Sequence, residues 1–443
     1  MKKLTATVVV AAAMVAGMFI SCSKSGDSAS AKKSEGKVLN IYVWNDEFPS
    51  RFRDYYASKV PADVKVNFVQ TPNQGNAYQD KLDEVLLVQN DAAADEKVDI
   101  FLVEADYALK YVDTPYTMDV KKDIGLTDAD LANQFKYTKD IMTDSKGALK
   151  GVSWQACPAG YIYRRSIAKA VLGTDDPAEV QKALANWDKF LETAELLKNK
   201  SNGNCYIVSS TGDLFKPYSS GRKSPWVVND KLVIDPIMED YMEMCKTLHD
   251  KGLEGRVGQW SEGWFAGMKG VLADESGNQK EVFSYFLPTW GLHYVLKTNA
   301  PETSGDWAMC AGPVGYRWGG TWVGAWAKTK NPNAAKELIK YVATDDAFLE
   351  AWAKDTGDVV SNAKVIDKVK GTFSEPFLGG QNHYAEFAEM AKSVNGKLSQ
   401  GTDQAIEGIF GEAVGAYVNG EKSKAQALAD FKDQVAAQLS LGI

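Results

Sequence analysis

Histidine is almost missing: the 443 residues hold three, His249, His293 and His383, scattered singly. Isolated histidines of this kind read as surface or core residues. No HExxH, GxSxG, Walker loop or GxGxxG stands beside them, so no enzyme is expected. Cysteine is sparse as well. Setting Cys22 aside, Cys157, Cys205, Cys245 and Cys310 lie far apart with no CxxC, which argues against a metal cluster; no metal and no other cofactor is expected. An oxidising compartment permits a Cys205–Cys245 bridge, and four buried free thiols are the alternative. Basic charge is in deficit, 50 Lys and Arg against 58 Asp and Glu, for a net charge of −8 and no basic stripe. That excludes nucleic acid and anionic lipid as the ligand. Beyond the first residues no run approaches 18 apolar residues, so no further segment is expected to span a bilayer.

What is present starts at the N-terminus. Lys2 and Lys3 precede the apolar run VVVAAAMVAGMFI, which ends at Ser21-Cys22. A basic start and a short apolar stretch predict a signal peptide over residues 1–21, too short for a comfortable span. Phe19-Ile20-Ser21-Cys22 resembles a bacterial lipoprotein cleavage site, with Phe where Leu is commonest. The resemblance implies a lipid on Cys22 and hence an anchor in the membrane; ordinary secretion with a stray cysteine is the alternative. Residues 22–37 are small and polar and predict a flexible tether reaching at most ~50 Å. The expected location is extracytoplasmic, lipid-anchored to a bacterial membrane, in the periplasm or at the cell surface.

The remaining chain is long for a single core, so two lobes are expected. VLNIYVW, KVNFVQ and VDIFLVEA read as strands alternating with helices over PSRFRDYYASKV and AYQDKLDEVLLVQND. This alternation predicts an α/β fold with a largely parallel, doubly wound sheet. PAEVQKALANWDKFLETAELLKNK, DPIMEDYMEMCKTLHDKGL and KAQALADFKDQVAAQL carry helical periodicity further on. In open α/β sheets ligands bind beyond the carboxyl ends of the strands. Those ends carry Trp44, Asn45, Asp46 and Glu47, then Glu104, Asp106 and Tyr107. Acids beside aromatics suit a hydroxyl-rich ligand; for Asp46 and Glu47, favourable charge at a helix N-terminus explains the residues equally well.

WGGTWVGAWAK spaces Trp318, Trp322 and Trp326 four apart with three glycines between them. The spacing fits a helix or a strand, and the glycines argue against the helix. A strand here puts Trp318 and Trp322 on a cleft and Trp326 in the core, with glycine admitting a close approach to the backbone. Of the other tryptophans, Trp187, Trp307 and Trp352 read as core and Trp226 as a cap on a lobe surface. Trp44, Trp154 and Trp290 are candidates for ligand contact, and Trp260 and Trp264 are spaced for one helix face.

Four stretches carry a family resemblance: VLNIYVWNDEF, VDIFLVEADYALKYVDTPYTMDV, GALKGVSWQACPAGYIYRRSIAKAVL and GGTWVGAWAKTKNPNAAKELIKYVATDDAFLEAW. In order and spacing the chain resembles the family-one extracellular solute-binding proteins of the maltose-binding type, receptors of ABC importers. LFKPYSSGRKSPWV and VFSYFLPTWGLHYV are similar to its carbohydrate subgroup. The resemblance implies a two-lobe periplasmic-binding-protein fold with hinge crossings and an interlobe cleft. Lobe I would comprise residues 38–150 plus 316–358, and lobe II residues 151–315 plus 359–443. It implies ligand contacts from Trp44, Asn45, Asp46, Glu47, Asp106, Tyr107, Trp154, Gln155, Asp213, Phe215, Trp290, Trp318 and Trp322. The chain departs from the pattern at Phe410, where a tryptophan is expected, and at Trp260 and Trp264, which lack a clear counterpart.

A sugar presents apolar C–H faces that pack on aromatic rings and hydroxyls that need rigid donors and acceptors. The expected function is therefore capture of a sugar or oligosaccharide by hinge closure, by a monomer that delivers it to the membrane subunits of an ABC transporter. Rival readings keep the fold and change the ligand to a polyamine, a metal complex or a polyol phosphate, for which Arg222 and Arg317 are the nearby cations. A surface adhesin and a secreted glycoside hydrolase, which would need two carboxylates about 5–9.5 Å apart, are the remaining alternatives.

Overall fold

The computed structural model describes residues 36–394 and 396–442. The expected signal peptide, Cys22 and nearly all of the tether lie outside the described residues. Ten strands build the two larger sheets: β1 Val38–Val43, β2 Lys65–Gln70, β3 Ile100–Glu104, β4 Pro158–Arg164, β5 Cys205–Val208, β6 Leu272–Ala273, β7 Gln279–Pro288, β8 Trp307–Cys310, β9 Tyr316–Arg317 and β10 Thr321–Ala325. The first sheet runs β10-β3-β1-β2, with β1 parallel to both neighbours and β10 antiparallel to β3. The second runs β8-β4-β7-β5 and is mixed, with β9 added to β4 and β6 to β7. The fold is a two-lobe α/β architecture, and the three expected strands of the first lobe are present.

Burial follows sheet position. β1 and β3 are buried almost throughout, as strands covered on both faces must be, whereas edge strand β2 alternates exposed with half-buried residues. Burying Leu39, Ile41 and Val43 in full stabilises by about 1.5–3 kcal/mol each. In the second lobe, Asp235 caps the helix Pro236–Asp250, which buries Met238, Tyr241, Met242, Cys245 and Leu248 at helical spacing. The closing helix Lys424–Leu439 has the limits read from the sequence.

Two helical expectations change in detail. Residues 177–200 form two helices, Pro177–Ala183 and Trp187–Lys200, because the Asn186 side chain accepts a hydrogen bond from Lys189 N and starts the second afresh. The segment after β1 is one α-helical turn and a half, Glu47–Arg51, continued by a π-helical turn, Phe52–Tyr56. Trp226 is fully buried against Phe410 and Phe431, so it is a core residue and not a surface cap. Phe410, at the position where the resemblance expects a ligand-stacking tryptophan, is fully buried too. Among the described residues the four cysteines are buried free thiols, and no helix is long and apolar enough to cross a membrane.

The chain passes between the sheets in three places. Residues 151–157 leave the first sheet, where Val152 bridges Val323, and deliver the backbone to β4. Gly319 and Gly320 bring it back into β10. At the third passage, Ala156 N donates to Val359 O (2.8 Å) and Ser361 N to Trp154 O (2.7 Å). β9, grouped with the first lobe in the sequence reading, ladders onto β4 of the second sheet. Gly319 and Gly320 have φ of 71° and 113°, and a Cβ on Gly319 would lie 2.9 Å from Trp290 Nε1. Glycine is required there by both conformation and space.

Candidate functional site

A cavity of about 110 Å³ opens where the end of β3 faces the second lobe. Asp106 reaches it from the first lobe, just past β3. Lys216 and Arg222 come from the short helix Phe215–Ser220 and the turn after it, and Tyr316, Arg317 and Trp318 from the second passage. Asp403 and Glu407 complete it, four apart and so on one face of the helix Asp403–Val418.

Lys216 is the centre of its charge. Its Nζ donates to both Asp106 oxygens (3.0 Å each) and to Glu407 Oε2 (3.3 Å), joining the two lobes. Burial pulls the Lys216 pKa down, but the surrounding carboxylates outweigh it and the net shift is upward. Asp106 is held low: burial raises it, and Lys216 more than reverses that. Next to it, Glu104 accepts from Asp106 N (2.8 Å) and is pushed to about 8 by burial and by the Asp106 charge.

The inner end of the cavity differs. Arg222, Asp403 and Tyr316 are each more than nine-tenths buried, yet Arg222 Nη1, Asp403 Oδ1 and Tyr316 Oη make no hydrogen bond within the protein. Arg222 Nη2 lies 3.6 Å from Asp403 Oδ2, and Nε donates to Ser219 O. Burial raises the Asp403 carboxyl to about 7; Arg222 opposes the rise and Glu407 adds to it. The three residues that carry this donor, acceptor and hydroxyl all line the cavity, and each such buried atom costs about 1–3 kcal/mol if left unsatisfied.

Beside this floor stands an aromatic wall. Trp318 meets Trp290 edge-on at 5.5 Å and Trp260 at 5.7 Å, and Trp290 Nε1 donates to Trp318 O (2.8 Å). Trp260 and Trp290 are nearly parallel, 10° apart, with centroids 6.3 Å apart.

A second acidic cluster lies at the passages. Gln155 Nε2 donates to Glu47 Oε1 (2.6 Å) and Asp358 Oδ2 (3.0 Å), while its Oε1 accepts from Thr321 N (3.1 Å). The Thr289 hydroxyl donates to the other Asp358 oxygen. Burial raises Glu47 to about 8, helped by the Asp358 charge, and Asp358 to about 6. Every side chain here is engaged by another.

Of the residues expected at the ligand, the structure brings Asp106 and Trp318 to the cavity and Trp290 to the wall. Glu47 and Gln155 belong to the passage cluster. Trp154 is buried between Phe48 and Trp352, and Trp322 is buried with Nε1 donating to Thr138 O (2.7 Å), so both are core residues. Tyr107 is buried as well and packs edge-on against the half-buried Trp44. Asn45 is exposed and its Oδ1 accepts from Glu47 N, and Asp46 is exposed and paired with Arg53. Asp213 accepts from Trp264 Nε1 (2.9 Å) and Gln259 Nε2 (2.8 Å), and Phe215 packs on Tyr241. Sequence reasoning missed Lys216, Tyr316, Asp403, Glu407 and the contact of Trp260 with the wall. Lys216 directly follows the Phe215 that was named, and the four-residue spacing of Asp403 and Glu407 was the other available signal.

A family model described as bacterial extracellular solute-binding protein matches residues 54–376. No curated protein matches the chain. A crystal structure of an extracellular solute-binding protein of family 1 superposes with a TM-score of 0.73 at 18% identity, covering 90% of this chain and 100% of that one. A binding protein associated with an ABC transporter from B. animalis subsp. lactis, in complex with beta-1,6-galactobiose, gives 0.66 at 17%, covering 90% and 97%. A solute-binding protein from Thermotoga lettingae bound to alpha-D-tagatose gives 0.68 at 13%, covering 90% and 99%. At these identities the likeness is one of fold.

Proposed function

The chain belongs to the bacterial extracellular solute-binding proteins, and from that premise we propose that its solute is a carbohydrate, held in the cavity between the lobes. The observation that carries the proposal is the group of Arg222, Asp403 and Tyr316, which carry uncommitted hydrogen-bonding atoms of both senses, lining one cavity with Trp318. One sugar hydroxyl can donate to Asp403 Oδ1 and accept from Arg222 Nη1, while a ring face packs on Trp318. Related folds have been solved with galactobiose and tagatose bound, which supports the reading. On this reading capture proceeds by the lobes parting and closing again, with closure favoured by contacts to both. A lipid on Cys22 would hold the receptor at the membrane for delivery to the permease subunits of an ABC importer.

One observation favours a second reading. Arg222 and Arg317 both line the cavity, as an acidic sugar or polyol phosphate would want. Thermal unfolding against neutral sugars, sugar acids, polyol phosphates and polyamines separates them. A ligand at a thousandfold excess over its Kd adds about 4 kcal/mol, a shift of several degrees. The expected result is stabilisation by neutral sugars. Stabilisation by phosphates or sugar acids alone selects the second reading, and stabilisation by polyamines alone rejects both. Labelling of the cell-bound protein with a radioactive fatty acid, lost in Cys22→Ala, is expected if the anchor exists.

A further inference from the structure

Trp260 is the one exposed tryptophan among the described residues, at 44%. Its φ is 70°, a left-handed conformation that a bulky residue adopts only when its surroundings impose it. The bracing is visible. Gln259 Nε2 donates to Asp213 Oδ1 (2.8 Å), and Trp264 Nε1 donates to the same carboxyl (2.9 and 3.1 Å). The Trp264 ring packs 4.9 Å from Trp260, and Ser261 caps the following helix through Trp264 N. Asp213 holds the turn, and the turn holds a tryptophan toward solvent.

The direction of that ring matters. Trp318 lines the cavity and meets both Trp290 and Trp260 edge-on, and these two are nearly parallel. Trp318, which lines the cavity, is therefore in ring contact with an exposed ring, Trp260. Burying Trp260 in the core would have been the cheaper arrangement, since it would remove both strain and exposed apolar area.

We propose that Trp260 is an outer stacking platform, a second ring subsite, so that the protein takes saccharides of at least two rings. The inner ring is hydrogen-bonded by Arg222, Tyr316 and Asp403. The next ring rests its C–H face on Trp260 and leaves its remaining hydroxyls in water. This rests on the carbohydrate reading of the cavity. A stacked aromatic face of this kind is worth about tenfold in affinity.

The test is titration calorimetry on the full chain with mono-, di- and trisaccharides of glucose, galactose, mannose and xylose, for the wild type, Trp260→Ala and Trp260→Gly. In the accepted series, wild-type affinity should rise about tenfold or more from one ring to two. Both variants should lose that gain on the longer sugars, and the loss should grow with ring number. Trp260→Gly separates binding from folding, because glycine occupies φ of 70° without strain and the melting temperature should hold or rise. Equal losses on all lengths, or none, would overturn the outer subsite and leave the carbohydrate reading standing. A wild type that binds no member of any series overturns the carbohydrate reading, and the subsite with it.

Discussion

Two acidic clusters lie near one another in this protein, and they differ in what their polar atoms are doing. At the passages, Glu47, Asp358, Thr289 and Gln155 use one another: the amide bridges both carboxyls and the hydroxyl takes the remaining Asp358 oxygen. In the cavity, Arg222, Asp403 and Tyr316 each keep an atom free although all three are buried. Residue type does not separate the clusters, since both are built of acids and their donors. Uncommitted hydrogen-bonding capacity on residues that line a cavity does. Substitutions at the passages should therefore change stability more than affinity, and those at the cavity floor the reverse.

Lys216 sharpens the contrast because it lines the cavity but is fully engaged. Lys216→Met strands Asp106 and Glu407 without their cation and should lower stability by about 3 kcal/mol in denaturant unfolding, the low end for a buried pair because Asp106 is a third exposed. Gln155→Leu removes the bridge between Glu47 and Asp358 and should cost about 2 kcal/mol in the same assay. An affinity loss larger than the stability loss in either variant would break the comparison.

The pH dependence joins the two clusters. Glu47 and Glu104 are raised to about 8, Asp213 and Asp403 to about 7, and Asp358 to about 6, in each case chiefly by burial. An acid with a raised folded pKa stabilises fully below its unfolded value near 4, and loses that contribution as pH rises through the folded value. The melting temperature should fall by several degrees between about pH 5 and 9. A flat or rising profile would contradict the burial of these groups.

The smallest effects discriminate most finely. Tyr316→Phe removes a buried hydroxyl that has no partner, so stability should hold or rise by up to about 1 kcal/mol while sugar affinity falls several-fold. Thr289→Val removes a hydroxyl that Asp358 uses, and should lower stability by about 1 kcal/mol with little change in affinity. Melting curves and titrations of the pair read both signs.

The sequence made the fold legible because periodicity survives folding. β1 to β3, the helix Lys424–Leu439 and the core placement of Trp326 were all readable from local pattern. Trp318 and Trp322 show where that legibility stops. They sit four apart, but the two left-handed glycines between them break the strand's alternation, so one faces the cavity and the other the core. Lys216 escaped notice because its carboxylate partners lie 110 and 191 residues away along the chain. Asp213 and Gln155 were named by type and position, yet no sequence pattern says whether a side chain's bonds are already taken up within the protein.

The most direct test of that distinction uses one sugar that stabilises the wild type. Its affinity is measured by calorimetry for Arg222→Ala and Gln155→Leu, each at a temperature where both variants are folded. Arg222→Ala should lose about tenfold to a hundredfold, the worth of a charged hydrogen bond, and Gln155→Leu should stay within about threefold of wild type. The reverse order would contradict the assignment and move the sugar's contacts to the passage cluster.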